Sequence, residues 1–145
     1  MDNLYVKIYE PDDYDKVMKF LQGVHALQEI EEELFANAVL IVADETIYGM
    51  ITYELFRQKA LIRYFIFDKD VEEKYLIEMY EKFFSNLKAN KINRVFVIIN
   101  SEEIKKMFIN LGFKEFPKES FFLTEESILQ TKYKNAHVLY YEIDD

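Results

Sequence analysis

The chain has no cysteine and no tryptophan, and among its 145 residues stand only 3 glycines, 2 prolines and 2 histidines. Without cysteine, disulfides, thiolate metal sites and cysteine nucleophiles are all excluded. Scarce glycine and proline rule out a chain of many short hairpins. The two histidines, His25 and His137, lie far apart with no metal-ligand spacing, so no zinc site is expected. Cations are outnumbered: 18 Lys and Arg face 27 Asp and Glu, a net charge of −9. An acidic surface repels phosphate backbones, which argues against nucleic acid as a partner and suits a cationic substrate such as an amine. The longest apolar runs, such as residues 38–43, are strand-sized and too short to cross a bilayer, so no membrane is expected. The opening MDNLYVKIYE has neither a basic nor a long apolar stretch and does not read as a signal peptide, so the cytoplasm is the expected compartment.

Half of the residues are hydrophobic and 17% are aromatic, ample for a packed core. No linker, repeat or low-complexity tract divides the chain, and one domain over 1–145 is expected. Leu4, Val6 and Ile8 alternate with more polar residues, the pattern of a strand. Pro11-Asp12-Asp13 breaks it and opens a helix carrying Tyr14, Val17, Met18, Leu21 and Val24 at helical spacing. A shorter helix is expected after His25, with Leu27, Ile30 and Leu34 inward and an acidic face at Glu29 and Glu31–Glu33. Strands follow at 38–43, 47–55 and 60–67, the last with Arg63 set among apolar residues. The longest helix runs from Asp70 to about Asn90. Residues 94–99 read as a central strand. Ser101 caps a further helix that stops at Gly112, and final strands lie near 120–123 and 138–143. A helical crossover joins the strands at 60–67 and 94–99, so these two should be parallel.

This order, β-α-α-β-β-β-α-β-α-β-β, resembles the GNAT superfamily of acyltransferases across essentially the whole chain. Three features carry the resemblance: Gly49 within Ile47-Tyr48-Gly49-Met50-Ile51, the long helix after residue 70, and the segment from Ser101 to Leu111-Gly112-Phe113. The resemblance implies an α/β (α+β) fold with a mixed, mostly antiparallel central sheet and helices on both faces. It also implies acetyl-CoA as cofactor, an amine as acceptor and a homodimer as a common assembly. Members of the family follow the fourth strand with a glycine loop, Gln/Arg-x-x-Gly-x-Gly/Ala, whose backbone amides close on the cofactor's diphosphate. Here the matching stretch is Phe67-Asp68-Lys69-Asp70-Val71-Glu72-Glu73-Lys74-Tyr75-Leu76-Ile77, and no glycine stands anywhere between Gly49 and Gly112. Four carboxylates, Asp68, Asp70, Glu72 and Glu73, occupy the region where phosphates would sit, and Lys69 and Lys74 offset two of them at most.

By family position, the backbone of Phe65, Ile66 and Phe67 would pair with the pantetheine arm, and Lys69 and Lys74 would lie near the phosphates. Asn100 and Ser101 would stand at the cofactor contact opening the next helix. Phe108 replaces the family's tyrosine acid and has no proton to donate. Glu54 is the implied base and Tyr64 an implied acid. Each has a plainer reading, a surface glutamate and a packed tyrosine. His25, on a rim loop, and an interface patch of Tyr133 or Phe121-Phe122 are further candidates. The terminal Asp144-Asp145 reads as solvated charge rather than an ion site. Three functions stand open: an N-acetyltransferase domain with weakened or lost acetyl-CoA binding, a catalytically silent module holding a protein partner or another small ligand, and an acyltransferase whose donor lacks a pyrophosphate and so needs no glycine loop.

Overall fold

A computed structural model describes residues 3–24, 29–56, 59–117 and 137–143. The expectations for His25, Phe121, Phe122, Tyr133, Asp144, Asp145 and a strand at 120–123 lie outside these residues. The described strands are β1 (Tyr5–Ile8), β2 (Val39–Ala43), β3 (Thr46–Phe56), β4 (Lys59–Phe67), β5 (Arg94–Ile99), β6 (Lys114–Glu115) and β7 (His137–Glu142). Their hydrogen-bonded order is β1-β2-β3-β4-β5-β7-β6. The α-helices are α1 (Tyr14–Gln22), α2 (Glu73–Ala89) and α3 (Glu102–Asn110). Every strand pairing with a resolved register is antiparallel except β4 with β5, which is parallel as the crossover requires. No helix among the described residues is long and apolar enough to cross a membrane. The chain forms two compact units, residues 1–54 with 63–91, and residues 55–62 with 92–145.

In the first unit β2 is buried at all five positions, as a continuous Val-Leu-Ile-Val-Ala run demands. Leu40 and Val42 pack with Val17 and Leu21 of α1, Phe35, Ile47 and Met50. The amphipathic α2 approaches β1 and β2 and buries Leu76, Met79, Tyr80, Phe83 and Leu87. The ring of Phe83 stands edge-on to Tyr53, with centroids 5.9 Å apart. Gly49 faces Ile41 across the β2–β3 pair, where the register shifts. A Cβ there would fall 2.9 Å from Ile41 Cδ1, a fully buried atom group with little room to yield.

The expected helix around Leu27–Leu34 is not α-helical where it is described. Residues 29–31 are irregular, and Glu32–Asn37 is a 3₁₀ helix. Contacts from outside the segment decide its backbone. The Thr52 hydroxyl donates to Leu34 C=O at 2.6 Å, and Tyr64 Oη accepts the Glu31 N–H at 2.7 Å.

In the second unit β5 and β7 pair from Arg94↔Glu142 to Ile99↔His137, with the first pair joined by a 2.6 Å ion pair. Phe96 and Val138 anchor a cluster with Leu61, Phe116 and Tyr140. Gly112 ends the α3 turn at φ +105, and a Cβ there would fall 2.9 Å from Tyr141 Cε2, so only glycine fits. The two-residue β6 answers to its partner β7 rather than to any pattern of its own.

Candidate functional site

The candidate residues of the first unit lie on β4, in the turn after it and at the start of α2, with Glu54 on β3. Strand β4 begins with alternating burial, and Tyr64 then takes φ +53, the left-handed region that a bulky side chain avoids. Such a departure inside a strand re-aims the main-chain amides and the side chains around it. Tyr64 and Ile66 pack against the α1 cluster, while Phe65 meets Tyr80 of α2 with centroids 5.5 Å apart and Phe67 at 5.2 Å. Burial pushes the Tyr80 hydroxyl far up, so it stays protonated.

Arg63 is the hub beside Tyr64. Its Nη1 donates to Glu54 Oε1 at 2.7 Å, and its Nη2 makes a short ion pair with Glu31. The Tyr64 hydroxyl, which takes the Glu31 N–H, also reaches the Glu29 carbonyl at 3.4 Å. The structure thus joins Glu54 to Tyr64 through Arg63 and Glu31, which sequence reasoning had treated separately. The available signal was a lone arginine in an apolar strand. Its partners, far off in sequence, were not readable.

The turn from β4 to α2 uses its own amides. Asp68 N–H donates to Tyr48 C=O at 2.8 Å, Asp70 N–H to Asp68 Oδ1 at 2.9 Å, and Val71 N–H to Asp68 C=O at 3.0 Å. Helix α2 therefore begins at Glu73, three residues later than the periodicity suggests. Exposed Glu72 and Glu73 stand at its N-cap and first turn, where carboxylates meet the helix dipole favourably. Lys69 is exposed. Lys74 lies over the Tyr75 ring at 5.1 Å and 3.9 Å from Glu72. The amides at 70 and 71 are taken within the turn, and no glycine stands in it or in the first turn of α2.

The remaining candidates belong to the second unit. Asn100 is exposed at the end of β5. The Ser101 hydroxyl accepts the Ile104 N–H at 3.3 Å and caps α3. Phe108 is fully buried, T-shaped against Phe113 at 4.9 Å. His137 Nε2 lies 2.9 Å from Glu102. Among the described residues no group of three or more acidic or histidine side chains is placed to hold a metal ion.

No protein-family model and no curated protein matches this sequence. Solved structures do. An acetyltransferase of the GNAT family from Staphylococcus aureus Mu50 matches with a TM-score of 0.73 at 11% identity, over 98% of this chain and 100% of that one. The ribosomal-protein-S18-alanine N-acetyltransferase from Escherichia coli gives a TM-score of 0.69 at 14% identity, over 99% and 96%. N-acetylglutamate synthase from Neisseria gonorrhoeae, solved with coenzyme A and N-acetyl-glutamate, gives 0.73 at 15% identity over 100% of this chain. The chain spans 36% of that enzyme's length. The chain has the GNAT acyltransferase fold.

Proposed function

We propose that this chain is an N-acetyltransferase-fold domain whose hold on acetyl-CoA is weakened to the point of loss, and that it works as a binding module. The observation that carries this reading is the corner between β4 and α2, with its internally used amides, Glu72 and Glu73 at the helix start and Tyr75 behind them. Carboxylates near a diphosphate repel it by about 1 kcal/mol each in water and more where water is excluded. The acidic surface favours a cationic partner, whether a small amine or a basic protein segment, over nucleic acid. Thermal unfolding tests the proposal, because a ligand that binds only the native state raises Tm. Acetyl-CoA at ~1 mM should move Tm by less than about 1 °C. A rise of several degrees would refute the loss.

A second reading, acetyl transfer to an amine, is favoured by one specific observation, the left-handed backbone at Tyr64. There Glu54, on the neighbouring strand, is the group to take the acceptor's proton. Saturable acetylation of an amine panel would select this reading.

A further inference from the structure

Two consecutive residues of β4 hold the same three-residue segment. Arg63 pairs with the Glu31 carboxylate, and the Tyr64 hydroxyl accepts the Glu31 N–H and reaches the Glu29 carbonyl. Between them Ile30 packs against the α1 cluster, as Tyr64 does. The segment 29–31 has no regular secondary structure of its own, and besides the Leu34 N–H bond to Glu31 C=O at 3.1 Å these side-chain bonds and Ile30 hold it. On the strand side, Tyr64 keeps a backbone conformation that a tyrosine adopts only when its surroundings impose it. We propose that Arg63 and Tyr64 form a latch that clasps residues 29–31 to β4. The irregular strand and the clasped segment then have two linked arrangements. Closed, Tyr64 is left-handed and Glu31 and Glu54 share Arg63. Open, β4 relaxes, Ile30 leaves the cluster and both carboxylates face water. The ionic half of the latch is accessible, since the side chains of Arg63, Glu31 and Glu54 are 28%, 33% and 40% exposed. Cations competing for the two carboxylates are the trigger this chemistry admits. The latch is independent of whether acetyl-CoA binds.

Amide hydrogen exchange on the full chain reads it directly, because the Glu31 N–H is itself a latch bond. Tyr64→Phe keeps the ring and removes the hydroxyl, and should speed exchange at Glu31 about five- to tenfold. Arg63→Met touches no bond of that amide, yet a shared latch requires Glu31 to speed up there as well. In the wild type, raising salt from about 0.01 M to about 1 M shortens the screening length from about 30 Å to about 3 Å. Glu31 should then accelerate relative to the β2 amides, whereas in Arg63→Met the salt effect should vanish. An unchanged Glu31 rate in a folded Arg63→Met protein would show independent contacts and overturn the latch. Should that variant unfold, the wild-type salt series decides: a Glu31 amide that moves only in step with β2 overturns it equally.

Discussion

Asp13 illustrates how one buried carboxylate can tie a strand to a helix start. It is 2% exposed, receives Lys7 Nζ from β1 at 2.7 Å and the Glu10 N–H at 2.9 Å, and has Lys16 at 3.8 Å. Burial alone pushes this carboxyl up. The hydrogen bonds from Lys7 and the Glu10 amide, with the charges of Lys7 and Lys16, outweigh burial and hold it below the usual carboxylate range. The Asp13 hydrogen bond correspondingly raises Lys7, against the opposing effect of its own burial. Because the folded pKa of Asp13 lies below the unfolded one, its contribution is full above the unfolded value, near 4, and disappears as pH falls through the folded value. Asp13→Asn should cost about 2–3 kcal/mol at neutral pH, at the low end for a broken buried pair because Lys7 keeps some access to water. The difference between variant and wild type should shrink as the medium is acidified below pH ~4. Urea unfolding at neutral and acid pH measures both; an equal deficit at both would mean that the charge is not what stabilises.

The corner between β4 and α2 is where the element-level reading has most at stake. Asp68 shapes a turn that satisfies itself, and α2 starts with Glu72 and Glu73 rather than with small residues. If this corner alone keeps acetyl-CoA out, then Glu72→Gln, Glu73→Gly and Tyr75→Gly together should admit it. Each glycine costs about 1 kcal/mol of helix stability, so the variant will be weaker without ligand. A restored Kd of about 0.1 mM would return about 1.4 kcal/mol at ~1 mM acetyl-CoA. For a chain of this size that is a Tm rise of about 3–5 °C where the wild type shows none. No rise would place the loss beyond this turn. The long elements were legible because they obey a period: the alternation before Pro11, the apolar stripe of α2, the unbroken run of β5 and the Ser101 cap. The segment 29–37 was not, because Thr52 and Tyr64, distant in sequence, hold its backbone away from the helix its residues suggest. The site was half legible. A missing glycine can be counted in a sequence, but the link from Glu54 through Arg63 to Glu31 exists only once β4 and residues 29–31 meet.

Charge is the property that acts on the molecule as a whole. The 27 Asp and Glu outnumber the 18 Lys and Arg by nine, and among the described residues Lys7, Lys16, Arg63, Lys74, Arg94 and Lys105 each lie within ion-pair distance of a carboxylate. A surplus of this sign opposes the approach of any polyanion. The same surplus should oppose non-specific association of copies at neutral pH. As pH falls the surplus is protonated, and the repulsion vanishes near the isoelectric point of about 4.8. Asp13 is still ionised there, because its partners hold it below ordinary carboxylates, so the tie between β1 and α1 persists when the net charge has reached zero. Association should therefore precede unfolding. Light scattering should peak near pH 4.8 while far-UV circular dichroism keeps its neutral-pH shape, and returning to pH 7 should redissolve the protein. Loss of the dichroism signal at the same pH as the scattering peak would mean that the core ties fail first, and that the surface charge is not what keeps this chain in solution.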